Sequence, residues 1–433
     1  MYAPDQAKVR GGARMSKYSD LNTSSRTIMT PGPVEVDPRV LRAMATPILG
    51  QFDPEFTGIM NETMEMLRQV FQTKNQWAYP VDGTSRAGIE AVLCSLIEPG
   101  DRVLIPIFGR FGYLLTEIAE RCGAEVTIME TTWGEVFDPE QVIKEIKRVK
   151  PKIVAIVHAE TSTGRMQPLQ EIGCACRELD VLLVVDAVAS IGGTDVKVDE
   201  WKLDAVIGGT QKCLSVPSGM APITYNERAE KILLQRKRIE KGLVDPADAQ
   251  LGQDRRVRSN YFDLSQLQDY WSPARLNHHT EATSMLYALR EGLRIVLEEG
   301  LENRFERHRL NEKALVEGIK AMGLSLFGND TYKLPVVTCI RIPDQVDGEA
   351  VRSMLLHDFG IEIASSFGPL HGQIWRIGTM GYSSRQKNIL HVLAALEAVL
   401  IRQGFKVNRG EALQAAMDVY EQRSRNNRGL VTT

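Results

Sequence analysis

The 433-residue chain lacks an apolar run of the ~20 residues a membrane-spanning helix needs. It also shows no secretory-leader pattern at its start. It has no excess of either charge: 52 basic against 55 acidic residues leave a net charge of -3, and so no electrostatic footprint for nucleic acid. Neither nucleic acid nor membrane is therefore expected as a partner. The six cysteines (Cys94, Cys122, Cys174, Cys176, Cys213 and Cys339) form neither a disulfide framework nor a zinc pattern. Free thiols of this kind fit a cytoplasmic protein. The glycine fingerprint of dinucleotide-binding sheets and the P-loop are both missing, which argues against a dinucleotide or ATP site. No nucleophile elbow is present, so a Ser-His-Asp hydrolase is poorly supported.

What remains is ordinary globular composition, 43% hydrophobic and 25% charged, and enough length for two or three domains. Residues 1–14 are polar and aperiodic and are expected to be a disordered extension, with Met15 a candidate natural start. From about 75 to 225 strand-like runs alternate with helical ones. The runs at 103–106, 123–128, 153–157 and 181–186 are separated by helical stretches at 114–121, 139–148 and 169–179. Strands apolar on both faces in this rhythm predict an α/β fold with a mostly parallel sheet covered by helices. Two helices follow, at 284–299 and 301–322. Mixed elements then run to about 405, and a polar tail is helical to about 423 with a frayed end.

In such sheets a ligand lies at the carboxyl ends of the strands. Three features fall there. Val181–Val185 runs into Asp186, and Ala205–Ile207 leads through Gly208-Gly209-Thr210-Gln211 to Lys212. Gly83-Thr84-Ser85 opens onto a helix whose amides, with the two hydroxyls, suit a phosphate. A lysine that can form a Schiff base, and an acid that keeps a pyridinium nitrogen protonated, point to pyridoxal phosphate. Each has a plainer reading: a loop lysine, a turn aspartate, a helix cap. Arg376, between apolar residues in Gln373–Gly378, is either salt-bridged or placed for a carboxylate. Asn277-His278-His279-Thr280 offers adjacent histidines but no acidic third ligand by spacing, so no metal is expected.

The segments Met29–Val34, Gln51–Phe56, His158–Gly164 and that around Lys212 resemble class V aminotransferases of the alanine/serine–glyoxylate type, over about residues 27–405. The resemblance implies the pyridoxal-phosphate-dependent fold type I. That is a large domain (27–285) with a mostly parallel sheet of the seven-stranded type, and a smaller α+β C-terminal domain (286–405). Residues 1–26 would be an extension and arm, and 406–433 a tail. It also implies a homodimer with shared active sites. By matching position, Lys212 would be the Schiff-base lysine and Asp186 the partner of the ring nitrogen. Thr84, Ser85 and Gln211 would lie at the phosphate, Thr161 beside the ring, and Thr280 at the phosphate of the other subunit. Arg376 would bind the substrate carboxylate, and Gly32 would line the substrate site.

Three positions depart from the commoner members. Phe111 stands where a tryptophan is usual, Asn277 where a tyrosine is usual, and Gln51-Phe52 where a histidine precedes the Asp-Pro-Glu segment. This combination resembles the branch that acts on (S)-ureidoglycine with glyoxylate, giving oxalurate and glycine. Primary amides at 51 and 277 offer donors and acceptors to a urea group. The alternatives are an alanine– or serine–glyoxylate aminotransferase and a cysteine desulfurase. The last would need a mobile nucleophilic thiol, and Cys339 lies in a strand-like run. A regulator's effector module would come with a DNA-binding domain, which is not evident.

Overall fold

A computed structural model describes residues 20–240, 242–243 and 256–430, with side chains to 425. The expected extension at 1–14 and Met15 lie outside the described residues. Seven strands form the central sheet: β1 (Trp77–Gly83), β2 (Arg102–Ile107), β3 (Glu125–Glu130), β4 (Ile153–Val157), β5 (Leu182–Asp186), β6 (Ala205–Ile207) and β7 (Gly219–Tyr225). Their order is β1-β7-β6-β5-β4-β2-β3. β7 runs antiparallel to both its neighbours and every other pairing is parallel, so the mostly parallel sheet agrees with the sequence reading.

All five residues of β4 and of β5 are buried, as strands covered on both faces must be. Each fully buried valine, leucine or isoleucine contributes on the order of 1.5–3 kcal/mol of transfer free energy. The edge strand β3 carries Glu125 and Glu130 exposed at its two ends, which discourages pairing with another chain. The covering helices start where the sequence provides caps. Asp37, Asp53 and Asp138 each accept a hydrogen bond from a first-turn amide, with proline immediately following.

A second, antiparallel sheet contains β8 (Val337–Arg341), β9 (Ala364–Ser365) and β10 (Ile374–Gly378), in the order β8-β10-β9. Its apolar core is separate from that of the large sheet. The two cores divide near Gly300, not at residue 285. The helix Thr283–Glu299 puts Leu286, Leu289, Leu293 and Val296 into the large core. The chain's start belongs elsewhere than residues 27–285 suggest. Thr27–Ile28 pairs in parallel with Ile361–Glu362, and Met29 is buried in the small core. The C-terminal segment is more than a frayed tail. The helix Glu411–Leu430 buries Ala412, Ala416 and Val419 against the same core. Amphipathic spacing shows that a helix has a buried face, but not which core it joins.

Candidate active site

The parallel strands end on one edge of the sheet. Asp186 is the last residue of β5 and is buried. Its Oδ1 accepts from Val188 N at 3.0 Å, while Oδ2 has no partner among the described residues. Burial pushes the carboxyl up to about 6, against the hydrogen bond from Val188, which favours the anion. Gly208 to Gln211 carry the chain from β6 to Lys212. Thr210 pins this turn by donating to Pro217 O at 3.0 Å or to Met220 O at 3.1 Å. Lys212 Nζ donates to Pro31 O, and the residue is half-buried. Burial, and then the nearby Arg376, push it down to about 8, partly offset by the charge of Asp186. Two groups on neighbouring strand ends are thus displaced toward neutral pH from opposite directions. That pattern is typical of a working site.

Glycines hold space around the lysine. A Cβ on Gly32, at φ +104°, would stand 2.6 Å from Lys212 Nζ. A Cβ on Gly209 would stand 2.7 Å from Ser85 Oγ. Thr84 occupies the cap position of the helix Ser85–Leu96 yet makes no side-chain cap bond, so its hydroxyl is not spent on the helix. Ser85 Oγ donates to Gln211 Oε1 at 2.9 Å, joining the helix start to the residue before the lysine. A helix N-terminus with spare amides and hydroxyls is a site for an anion.

Arg376 lies in β10 of the small sheet and is buried. Its Nε donates to Ser365 O at 2.7 Å and its Nη1 to Thr161 O at 2.9 Å, with the Phe367 ring centroid 4.7 Å from Cζ. Among the described residues it forms no salt bridge. The two carbonyls fix the plane of the guanidinium and leave Nη2 without a partner among the described residues, a donor available to a carboxylate.

The class V aminotransferase family pattern matches residues 42–375. A (S)-ureidoglycine–glyoxylate transaminase of Bacillus subtilis (strain 168) is 71% identical over 95% of this chain and 99% of its own. The crystal structure of ureidoglycine–glyoxylate aminotransferase from Bacillus subtilis superposes with a TM-score of 0.89 at 70% identity, covering 93% of this chain and all of that one. An alanine–glyoxylate aminotransferase of Drosophila melanogaster is 35% identical over 88% of this chain and 93% of its own.

The chain belongs to the class V aminotransferases. It is therefore a pyridoxal-phosphate-dependent aminotransferase of fold type I. The residues present fit the cofactor. The unpartnered Asp186 oxygen suits a protonated ring nitrogen, and the Thr84–Ser85 helix start suits a phosphate.

Elsewhere in this aminotransferase, Phe111 opens the helix Arg110–Arg121 and donates its backbone N–H to Glu160 Oε2 at 2.8 Å. Glu160 is fully buried and also accepts from Ser162 N at 2.9 Å and Ser162 Oγ at 2.6 Å. Burial raises its carboxyl above the usual range. Glu160 was legible only as part of the His158–Gly164 motif, and its bond to Phe111 needs the fold. Gln51 Nε2 donates to Asn277 Oδ1 at 3.0 Å, and Gln51 Oε1 is buried without a partner. Thr280 and Asn277 are exposed. Within one chain none of these three is hydrogen-bonded to Lys212, Asp186 or Arg376. The spacing of Asn277–Thr280 showed no acidic third ligand, but the fold brings two carboxylates to His279, one from Asp82 and one from the adjoining Glu281. Asp82 Oδ2 lies 3.2 Å from His279 Nε2, and Glu281 Oε2 lies at 3.7 Å. Cys339 is buried in β8 with its thiol pushed up to about 11 by burial, unsuited to a mobile nucleophile.

Proposed function

We propose that this aminotransferase moves the amino group of (S)-ureidoglycine to glyoxylate, giving oxalurate and glycine. The observation that carries the choice of donor is the Gln51–Asn277 amide pair, with its buried and unsatisfied Gln51 Oε1. A urea group matches spare amide donors and acceptors, and alanine would leave them unpaired. The transaminase of Bacillus subtilis that is 71% identical bears the same substrate pair in its name.

Pyridoxal phosphate, when bound, supplies an aldehyde for the amino group and a ring that accepts the electron pair from the substrate α carbon. Thr84, Ser85 and Gln211 would hold its phosphate, Phe111 and Thr161 would lie beside its ring, and Asp186 would keep a proton on its nitrogen. Arg376 takes the carboxylate of each substrate in turn. With the cofactor bound, Lys212 Nζ would remove the proton from the substrate α carbon and return it on the far side of the amino nitrogen. An amine near pKa 8 can serve as base and then as acid near neutral pH. Gly32 leaves room for the lysine to swing.

The reading includes a homodimer, in which Thr280 of one subunit reaches the phosphate of the other. The exposure of Thr280 and Asn277 on their own chain supports it. It also includes a cytoplasmic location. No helix among the described residues is long and apolar enough to cross a membrane.

The test is a donor panel with glyoxylate as acceptor. Ureidoglycine is expected to exceed alanine and serine in kcat/KM by at least about 100-fold. A clear preference for alanine or serine would overturn the choice of donor but leave the transamination chemistry intact. Full turnover by Lys212→Ala would remove the mechanism itself.

A further inference from the structure

One cluster beside the phosphate loop has no part in this chemistry. Asp82, His279 and Glu281 bring three ligand atoms within 4.8 Å of one another. His279 Nε2 is 3.2 Å from Asp82 Oδ2 and 3.7 Å from Glu281 Oε2. Yet His279 Nε2 and both Glu281 oxygens are buried without a hydrogen-bond partner. The atoms are close, but they are not aimed as donor to acceptor.

Glu281 is 4% exposed. Sealing a carboxylate from water with no donor costs several kcal/mol, and such a group calls for an ion, a water or a proton. The Tyr270 hydroxyl lies beside Glu281 without closing a hydrogen bond to it, and its ring lies 4.8 Å from that of His279. The neighbouring Arg275 donates to Tyr270 O at 3.4 Å and Asn61 Oδ1 at 2.5 Å instead of to Glu281. Backbone and neighbouring side chains brace two of the three residues. Asp82 Oδ2 accepts from Ala282 N at 3.1 Å, and His279 Nδ1 meets His278 Nδ1 at 2.8 Å, which orients the imidazole with Nε2 toward the carboxylates.

We propose that Asp82, His279 and Glu281 bind one transition-metal dication of the Mn2+ to Zn2+ series. One imidazole and two carboxylates are the donors such ions take, and three protein ligands leave positions for water. The ion's charge balances the two carboxylates. Asp82 directly precedes Gly83-Thr84-Ser85, and His279 and Glu281 flank Thr280. The ion therefore ties the phosphate loop to the segment that carries Asn277 and Thr280. Its role is to stiffen that junction, not to take part in amino transfer.

The holoenzyme, freed of adventitious metal by dialysis against a chelator, is titrated with ZnCl2 or MnCl2 by calorimetry. Bound metal is counted by elemental analysis. One ion per chain is expected, with a rise in Tm at saturation. Affinity should fall by at least about tenfold in both Glu281→Gln and His279→Gln. Far-UV circular dichroism checks that each variant is folded, and the wild-type titration stands even if one is not. Absence of stoichiometric binding overturns the site and leaves a proton shared by the two carboxylates. Binding of equal affinity in both variants overturns it as well, by placing the ion elsewhere.

Discussion

Gln51 and Asn277, 226 residues apart, are joined by a hydrogen bond from Gln51 Nε2 to Asn277 Oδ1 of 3.0 Å. The bond makes one polar unit of two side chains and leaves Gln51 Oε1 as a buried acceptor without a donor. Removing either amide breaks the unit. Asn277→Leu is expected to lower kcat/KM for ureidoglycine about 10- to 100-fold, the loss of one or two well-placed hydrogen bonds. The value for alanine should change far less. Gln51→Leu should do the same, and the double variant should cost less than the product of the two. Strict additivity, measured in a steady-state cycle, would show that the amides act separately.

Gly32 faces Lys212 so closely that any side chain competes with the amine for its place. A Cβ there would stand 2.6 Å from Nζ and 2.7 Å from Cε, at a φ of +104° that L residues avoid. Gly32→Ala is expected to destabilise the fold by about 1–3 kcal/mol through the backbone alone. Displacement of the lysine should lower kcat by more than about tenfold, since small errors in placing the base are costly. Denaturation and steady-state rates read the two effects separately. A variant that lost stability but kept full kcat would show that Lys212 does not need this space.

Arg376 spends two guanidinium nitrogens on the carbonyls of Ser365 and Thr161. Lysine can reproduce the charge but not a planar group fixed at two of its nitrogens while a third donates. Arg376→Lys should therefore raise KM for both the amino donor and glyoxylate by about 10- to 100-fold, one or two charge-assisted hydrogen bonds. Both substrates suffer because each presents a carboxylate. A rise for only one of them would mean that the two bind differently.

The strands that end in Asp186 and lead to Lys212 were legible because β5 and β6 are short apolar runs stopped by polar or glycine residues. The helix Gly348–Phe359 has both its ends marked by adjacent residues. Asp347 caps its start and Gly360, at φ +66°, ends it. Local chemistry writes such features into neighbouring positions. What was not legible depends on distant parts meeting. Asp82 reaches His279 across nearly 200 residues, and Glu160 receives the Phe111 amide from another helix. The helix Thr283–Glu299 was readable as amphipathic, but its partner Pro54–Val70 was not, because the spacing of apolar residues names a face and not its neighbour. The substrate residues divide in the same way. Arg376 stood out as a charge inside an apolar strand. Gln51 and Asn277 are ordinary polar residues until the fold joins them.

Asp186 makes the stability of the cofactor-free protein depend on pH. Its carboxyl titrates at about 6 in the fold, against 3.8 as the ordinary value, because burial disfavours the anion. Between these values the folded chain binds a proton that the unfolded chain has released. Stability is therefore highest, for this group, below about pH 4 and falls as pH rises through about 6. The loss amounts to about 3 kcal/mol. Asp186→Asn keeps the shape and hydrogen-bonding capacity but cannot ionise. In the cofactor-free state the variant should gain on the parent across pH 4–6 and keep a constant advantage above it, as measured by denaturant midpoints at fixed ionic strength. With cofactor bound, the protonated ring nitrogen beside Asp186 favours the anion, so the advantage should shrink or reverse. An equal advantage with and without cofactor would mean that Asp186 does not face the ring nitrogen.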